Sequence, residues 1–132
     1  MSKNLNYREA VYAYLVDVAD MDNKITSQER YAMDHFHDNA FGLLALSDKS
    51  KKKIGSELKR TMQPNDFSKM VVSSLKEEKK EKQMKAYRIV NQFINANYKA
   101  KDEALKKARE IRAGLDFNDE EFEAFNTWQN NQ

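Results

Sequence analysis

Acidic residues near the start of the chain have the spacing of a loop that binds a divalent cation. Aligned with a twelve-residue calcium loop of the EF-hand kind, the chain places Asp20 and Asp22 as side-chain ligands and Glu29 as the closing carboxylate. Val18 occupies the first ligand position, and Asp17 is one residue out of register as its substitute. A hard cation prefers several converging oxygen ligands, which a bent loop between two helices can supply. The segment predicts one weak divalent-cation site, with Ca²⁺ as the candidate cofactor.

The same residues also have a purely structural interpretation. Thr26 and Glu29 have the spacing of a helix capping box, and Asp22 with the residue after it is an ordinary turn pair. Asp17 and Asp20 are predicted to lie in the last turn of the first helix, where the helix dipole disfavours negative charge. Either a bound cation or the N-terminus of the second helix should offset that charge. Capping alone and ion binding therefore both stay open.

A basic cluster between residues 49 and 60 offers a second kind of site. It could contact the phosphates of a nucleic acid or an anionic membrane. The residues assigned to this alternative are Lys51, Lys52, Lys53, Lys59 and Arg60. However, Ile54, Leu58 and Met62 recur at four-residue spacing and predict a core-facing side, which leaves the lysines to face solvent. Aromatic residues are not interleaved for base stacking, and the net charge is only +2, so nucleic acid is the less favoured partner.

Enzymatic chemistry has little support in the sequence. His35 and Asp38 lie three residues apart on one helical face, as in a metal or acid–base pair. His35 and His37 diverge on a helix, and we interpret them as a surface or partly buried pair. We find no Ser/His/Asp arrangement, glycine-rich phosphate loop or zinc-ligand spacing, and therefore expect a protein that is not an enzyme.

The elements that must position these residues are predicted to be helices. Apolar residues recur at three- and four-residue spacing along the chain, and Gly 3 with Pro 1 leaves few hairpin-forming residues. Capping boxes predict helix starts after Asn6, Thr26 and Asn118, and Asn65 or Asp66 is predicted to cap the fourth helix. We predict an all-α, compact bundle of about seven helices. It forms one domain over residues 1–132, with a frayed polar tail at 129–132.

The composition favours a protein of the cytoplasm. Cys 0 excludes disulfides and thiolate metal sites and fits a reducing compartment. The first six residues lack the apolar stretch of a signal peptide. The longest apolar stretch, from Ala40 to Leu46, is too short to span a bilayer. We therefore expect no transmembrane segment.

The acidic loop and the helices around it resemble a known family. The matching residues are Ala19, Asp22, Asn23, Ile25, Thr26 and Glu29. This pattern resembles the Ala-x-x-Asp-Gly-x-Ile-[Ser/Thr]-x-x-Glu hallmark of the TerB-like family, with Asn23 in the glycine position. That family is the helical module of bacterial tellurite resistance and of a membrane-anchored DnaJ-type co-chaperone. The segment from Ala104 to Glu121 is similar to its last two helices, whereas residues 97–103 lack the second acidic motif.

The resemblance implies a fold of two pseudo-repeated halves. It also implies a non-catalytic accessory or scaffold role of bacterial or phage origin, related to stress or tellurite resistance. The partner would be an unidentified protein, through which the chain could associate peripherally with a membrane. In some members of the family the acidic loops are suspected of holding a divalent cation.

We expect millimolar calcium, or a lanthanide, to raise the melting temperature, because an ion that binds only the folded state stabilises that state. Asp22→Ala should remove this increase. Thermal unfolding followed by circular dichroism, with magnesium as a comparison ion, measures the effect. An unchanged melting temperature at millimolar calcium would leave the loop as a helix cap alone.

Overall fold

Helices account for most of the chain in the computed structural model, which describes residues 4–19, 26–96 and 101–131. The six uninterrupted helices are α1 (Tyr7–Ala19), α2 (Ser27–Phe41), α4 (Pro64–Lys76), α5 (Lys80–Ala96), α6 (Lys101–Arg112) and α7 (Asp119–Asn130). The remaining helix, α3, runs through Asp48–Lys52, a π turn at Lys53–Leu58 and Lys59–Thr61. No strand occurs within these described ranges. The prediction of an all-α, compact bundle of about seven helices is confirmed.

Local capping chemistry starts three of the helices as predicted. At the first, the Glu9 amide donates to Asn6 Oδ1 at 2.9 Å, and the Asn6 amide donates to Glu9 Oε1 at 3.0 Å. The boxes at Thr26 and Asn118 have the same reciprocal pattern. The prediction for α4 is wrong, because that helix begins at Pro64 and not after Asn65 or Asp66. Proline suits the first helical position, since its missing amide would have no partner there.

Helix α1 is the centre of the bundle. Every residue from 10 to 19 is buried, and α2, α3, α4, α5 and α6 all pack against α1, while α7 packs on α5. The sequence predicted only one apolar face for this helix. Its tyrosines fit the interior because their hydroxyls find partners: Tyr14 donates to the Ala108 carbonyl at 2.6 Å, and Tyr12 donates to Asp34 Oδ1 at 3.0 Å. A helix enclosed on all sides needs a partner for each polar group.

The connection from α2 to α3 is a short exposed turn. Gly42 ends α2 with φ at +58°, a conformation that favours glycine, and begins a 3₁₀ turn at Gly42–Leu44. Leu43 is fully exposed and Leu44 is 67% exposed. The Leu46 amide then donates to Nε2 of His37 at 3.2 Å, which holds the chain against α2.

Helix α7 extends into the polar tail. Gln129 and Asn130 belong to α7, and their side-chain oxygens each accept a hydrogen bond from Arg88 on α5 at 3.1 Å. Whether the tail at 129–132 frays stays a prediction, and Gln132 lies outside the described residues. The partner that orders them is about forty residues away along the chain, so local sequence does not reveal it.

His37 is fully buried, which corrects the interpretation of a surface or partly buried pair; His35 is exposed. The His37 ring meets the Tyr12 ring edge-on, with 5.4 Å between centroids. Burial, together with the nearby positive charge of Lys51, lowers the pKa of His37 to about 4. The imidazole is therefore neutral at physiological pH and serves as a core side chain that accepts one backbone hydrogen bond.

We expect the free energy of unfolding to fall as the pH drops from about 6.5 to about 4. Over this window the unfolded histidine binds a proton and the folded one does not. The His37 contribution to the loss is on the order of 3 kcal/mol. Urea unfolding at several pH values measures it. His37→Gln should flatten the dependence while keeping an acceptor for Leu46, and the exposed control His35→Gln should leave the dependence unchanged. Equal curves for both variants would contradict the assignment.

Candidate functional site

The carboxylate of Asp17 is the centre of a buried polar cluster at the end of α1. It is 3% exposed. Lys59 on α3 places Nζ 3.2 Å from Oδ1, and the Ser68 hydroxyl on α4 donates to Oδ2 at 2.7 Å. Lys107 on α6 places a second ammonium 3.9 Å from Oδ2. One carboxylate thus joins four helices.

This cluster offsets the negative charge of Asp17. The sequence had suggested a bound cation or the N-terminus of α2 for that role. The ammonium groups of Lys59 and Lys107 offset the negative charge of Asp17 in the last turn of α1. Both carboxylate oxygens are engaged inside the bundle. We therefore assign Asp17 to packing of the fold and not to the neighbouring loop as a substitute ligand.

The other predicted ligands of the acidic loop are only partly described. Asp20 and Asp22 lie outside the described residues, as do Asn23 and Ile25 of the family pattern. Glu29 forms the predicted capping box: its Oε1 accepts the Thr26 amide at 3.0 Å, and Thr26 Oγ1 accepts the Glu29 amide at 3.1 Å. Among residues that the structure describes, no three histidine, aspartate or glutamate side chains are grouped so that they could hold a metal ion. The cation site stays a prediction.

The five residues assigned to phosphate binding do not share one surface. Lys51 is buried, with Nζ 2.8 Å from Asp38 Oδ1, and Lys59 is turned inward to Asp17. Lys52, Lys53 and Arg60 are exposed. The prediction that these lysines all face solvent is wrong for Lys51 and Lys59. Lys59 directly follows the π turn within α3, where the wider turn means that α-helical spacing no longer predicts which way a residue faces.

Lys59, the second of the two inward-facing lysines, is also stabilised by an aromatic ring. The ammonium of Lys59 lies 4.6 Å from the centroid of the Phe67 ring, in addition to its ion pair. A cation over a ring face gains electrostatic attraction where water is scarce. Lys59 is thereby committed to the interior, and its charge is not offered to a ligand.

A groove of about 790 Å³ lies between α2 and α5, and we call it the α2–α5 groove. Its apolar residues are Phe36 and Ala40 from α2 and Ile89 and Ala96 from α5. Polar residues make up the rest of the lining. They are Asn39, Lys85, Arg88, Gln92, Asn95 and Gln129. None of the described residues that line this groove is acidic.

Arg88 gives the α2–α5 groove its most specific feature. Its Nη1 donates to Gln129 Oε1 and its Nη2 donates to Asn130 Oδ1, both at 3.1 Å. These amide oxygens hold the guanidinium in position, and no carboxylate in the described part of the chain pairs with it. Lys85, one turn earlier on α5, adds a second positive charge to the same lining. The groove therefore combines apolar surface with a positive edge, the combination that suits a partner with carboxylates beside apolar side chains.

Sequence reasoning missed this groove. The mixed-charge segment 76–85 contains the junction between α4 and α5. Lys85, Arg88 and Gln92 recur at three- and four-residue spacing, which places them on one side of α5. That spacing could have indicated a polar face on α5, but it does not show which residues hold Arg88 in position.

A second groove, of about 500 Å³, separates α4 from α6. It contains Lys76 and Lys107, but both ammonium groups face carboxylates of the chain itself. Lys76 lies 3.9 Å from Asp116, and Lys107 lies 3.9 Å from Asp17. The lining also contains Lys69 and the acidic Glu110. Because two of its three lysines face carboxylates and an acidic residue lies among them, the α2–α5 groove is the better candidate.

Comparison of the chain with models of protein families, with characterised proteins and with solved structures finds no match in any of the three. None of the helices in the described part of the chain has the length and apolar character that crossing a membrane requires.

We expect Asp17→Asn to lower the free energy of unfolding by about 3 kcal/mol, because it leaves the lysines around it without their buried counter-charge. Urea unfolding measures the change. The exposed control Glu123→Gln should stay within about 0.5 kcal/mol of the parent. Adding Lys59→Met to Asp17→Asn should recover part of the loss, since the two charges interact directly. Additive effects of the two substitutions would contradict the assigned pairing.

Proposed function

We propose that this chain is a non-catalytic accessory module of the cytoplasm that binds a protein partner in the α2–α5 groove. The observation that supports the proposal is the guanidinium of Arg88. Amide oxygens of Gln129 and Asn130 hold it beside apolar surface, and no described carboxylate neutralises it. A positioned but uncompensated charge at the edge of a groove favours a partner of opposite charge.

The occupant that fits this chemistry is an acidic amphipathic helix of the partner. On α5 the lining extends from Lys85 to Ala96, which at 1.5 Å per residue is about 16 Å, or about three helical turns. The small side chains of Ala40 and Ala96 leave room for a second helix to approach. A helix that places apolar residues in such a groove and carboxylates at its edge follows a common mode of peptide recognition.

The finer parts of the function belong to the same proposal. We propose a TerB-like arrangement of two pseudo-repeated halves, a bacterial or phage origin, and a role related to stress or tellurite resistance. A weakly bound Ca²⁺ at Asp20, Asp22 and Glu29 would adjust the angle between α1 and α2. Because α2 forms one wall of the groove, such an adjustment would reach the partner site.

The alternative function, binding of a nucleic acid or anionic surface by residues 49–60, has less support from the structure. Lys51 and Lys59 form ion pairs with Asp38 and Asp17, so they are not available to phosphates. Of the five residues, only Lys52, Lys53 and Arg60 remain exposed to contact an anionic surface.

If the proposed site is correct, removing or reversing the positive charges at the edge of the α2–α5 groove should weaken partner binding. Lys85→Glu and, separately, Arg88→Gln should each weaken partner binding roughly tenfold, because each removes a charge that meets a carboxylate. Lys79→Glu, an exposed lysine outside the groove, is the matched control. Affinity capture from the source organism, quantified for all four proteins, measures the effect.

The captured segment identifies the occupant. A photo-reactive amino acid in place of Gln92 should crosslink to a partner segment with carboxylates and apolar residues at helical spacing. Crosslinking to a basic segment, or equal capture by Lys85→Glu and the parent, would overturn the proposal.

A further inference from the structure

The turn between α2 and α3 holds two leucines out in solvent. Leu43 is fully exposed and Leu44 is 67% exposed, although both belong to a 3₁₀ turn with defined geometry. Gly42 begins this turn with a positive φ, and Arg8 Nη1 donates to the Leu44 carbonyl at 2.7 Å. The two apolar side chains are therefore presented by an anchored turn, with the cation of Arg8 beside them.

Three exposed lysines follow on the first turns of α3. Lys51 faces α2, where its ammonium pairs with Asp38. At 3.6 residues per turn, Lys49 points roughly 160° away from Lys51 and Lys52 about 100° away, and Lys53 begins the π turn that follows. All three are exposed. The inward pairing of Lys51 thus sends the other lysines to the outer side of α3.

The leucines and the lysines are held at the same end of α2. The Leu46 amide donates to His37 at 3.2 Å, and Lys51 pairs with Asp38 at 2.8 Å. These two bonds tie the chain on both sides of Ser47 to the last turns of α2. The exposed carboxylate of Asp48 is the nearest opposing charge along the chain. We call this region, Gly42–Leu44 with Lys49, Lys52 and Lys53, the leucine–lysine tip.

We propose that the leucine–lysine tip docks on an anionic lipid bilayer. Leu43 and Leu44 would enter the boundary between headgroups and acyl chains, while the lysines contact lipid phosphates and carboxylates. Apolar insertion and electrostatic attraction are each weak alone, and stable peripheral binding requires both. This proposal does not depend on the α2–α5 groove.

Two other occupants fit the tip less well. A nucleic acid would use the lysines but would give the two leucines no role, and the tip contains no aromatic ring for base stacking. In a symmetric dimer two copies of the tip would meet face to face and repel each other, because both carry an excess of positive charge. A lipid surface uses the apolar and the basic groups together.

Vesicle co-sedimentation tests the proposal with the full chain. The parent should bind vesicles of phosphatidylglycerol and phosphatidylcholine, and not vesicles of phosphatidylcholine alone. Leu43→Ser with Leu44→Ser should weaken binding at least about tenfold. Replacing Lys49, Lys52 and Lys53 by glutamine should weaken it about fivefold for each lysine.

Matched controls distinguish binding by the leucine–lysine tip from the effects of net charge and of exposed apolar side chains elsewhere on the protein. Glutamine at Lys79, Lys101 and Lys106, three exposed lysines elsewhere, gives the same change in net charge and should leave most of the binding intact. Tyr31→Ser removes another exposed apolar side chain, 76% exposed on α2, and should have no effect. Circular dichroism verifies that each variant is folded.

A spectroscopic measurement reports insertion directly. With Trp128→Phe, Leu43→Trp becomes the only tryptophan, and its emission should shift to the blue and be quenched by brominated lipids when anionic vesicles are added. No binding by the parent, or binding that survives the leucine substitutions, would overturn the proposal. So would loss of RNA binding or of self-association in the tip variants without any vesicle binding.

Discussion

A carboxylate enclosed among helices has to be paired with cations, and Asp17 imposes that requirement on the whole bundle. It lies on α1, whose residues 10–19 are all buried. Lys59, Ser68 and Lys107 reach it from α3, α4 and α6. A buried ion pair contributes little net stability compared with an apolar core, but breaking one is costly. Arrangements of these three helices that leave Asp17 unpaired are therefore disfavoured, which specifies how they approach the end of α1.

The demand for internal counter-charges also decides what remains on the surface. Lys59 is drawn inward by Asp17, and Lys51 by Asp38, although both come from a segment that looks uniformly basic. What stays outside is a smaller set of lysines beside the exposed turn before α3. On α5, across the groove from α2, Arg88 is positioned by amides, and no carboxylate among the described residues pairs with it. Each of the two candidate surfaces is therefore built around basic side chains that form no ion pair inside the bundle.

Helix starts could be predicted from the sequence because capping is local. Asn6 with Glu9 and Asn118 with Glu121 satisfy each other's backbone amides within four residues, and the structure has both boxes. The start of α4 was missed because proline at the first position and an Asx cap one residue later are both good starts. Burial of α1 on all sides was missed for a different reason. Tyr14 is acceptable inside only because the Ala108 carbonyl, 94 residues away, accepts its hydroxyl.

The difference between local and tertiary contacts also explains why the capping box at Thr26 could be predicted from sequence and the α2–α5 groove could not. A loop motif places its side chains through neighbouring residues, so its capping half, Thr26 with Glu29, could be identified from spacing. Long cationic side chains follow no such local rule. Lys51 and Lys52 are adjacent and chemically identical, yet one is a buried counter-ion and the other faces solvent. Only a tertiary partner separates them, and Arg88 likewise becomes part of a site because α7 ends beside it. In a bundle rich in lysine and arginine, the surfaces available to ligands follow from which charges the interior has already paired.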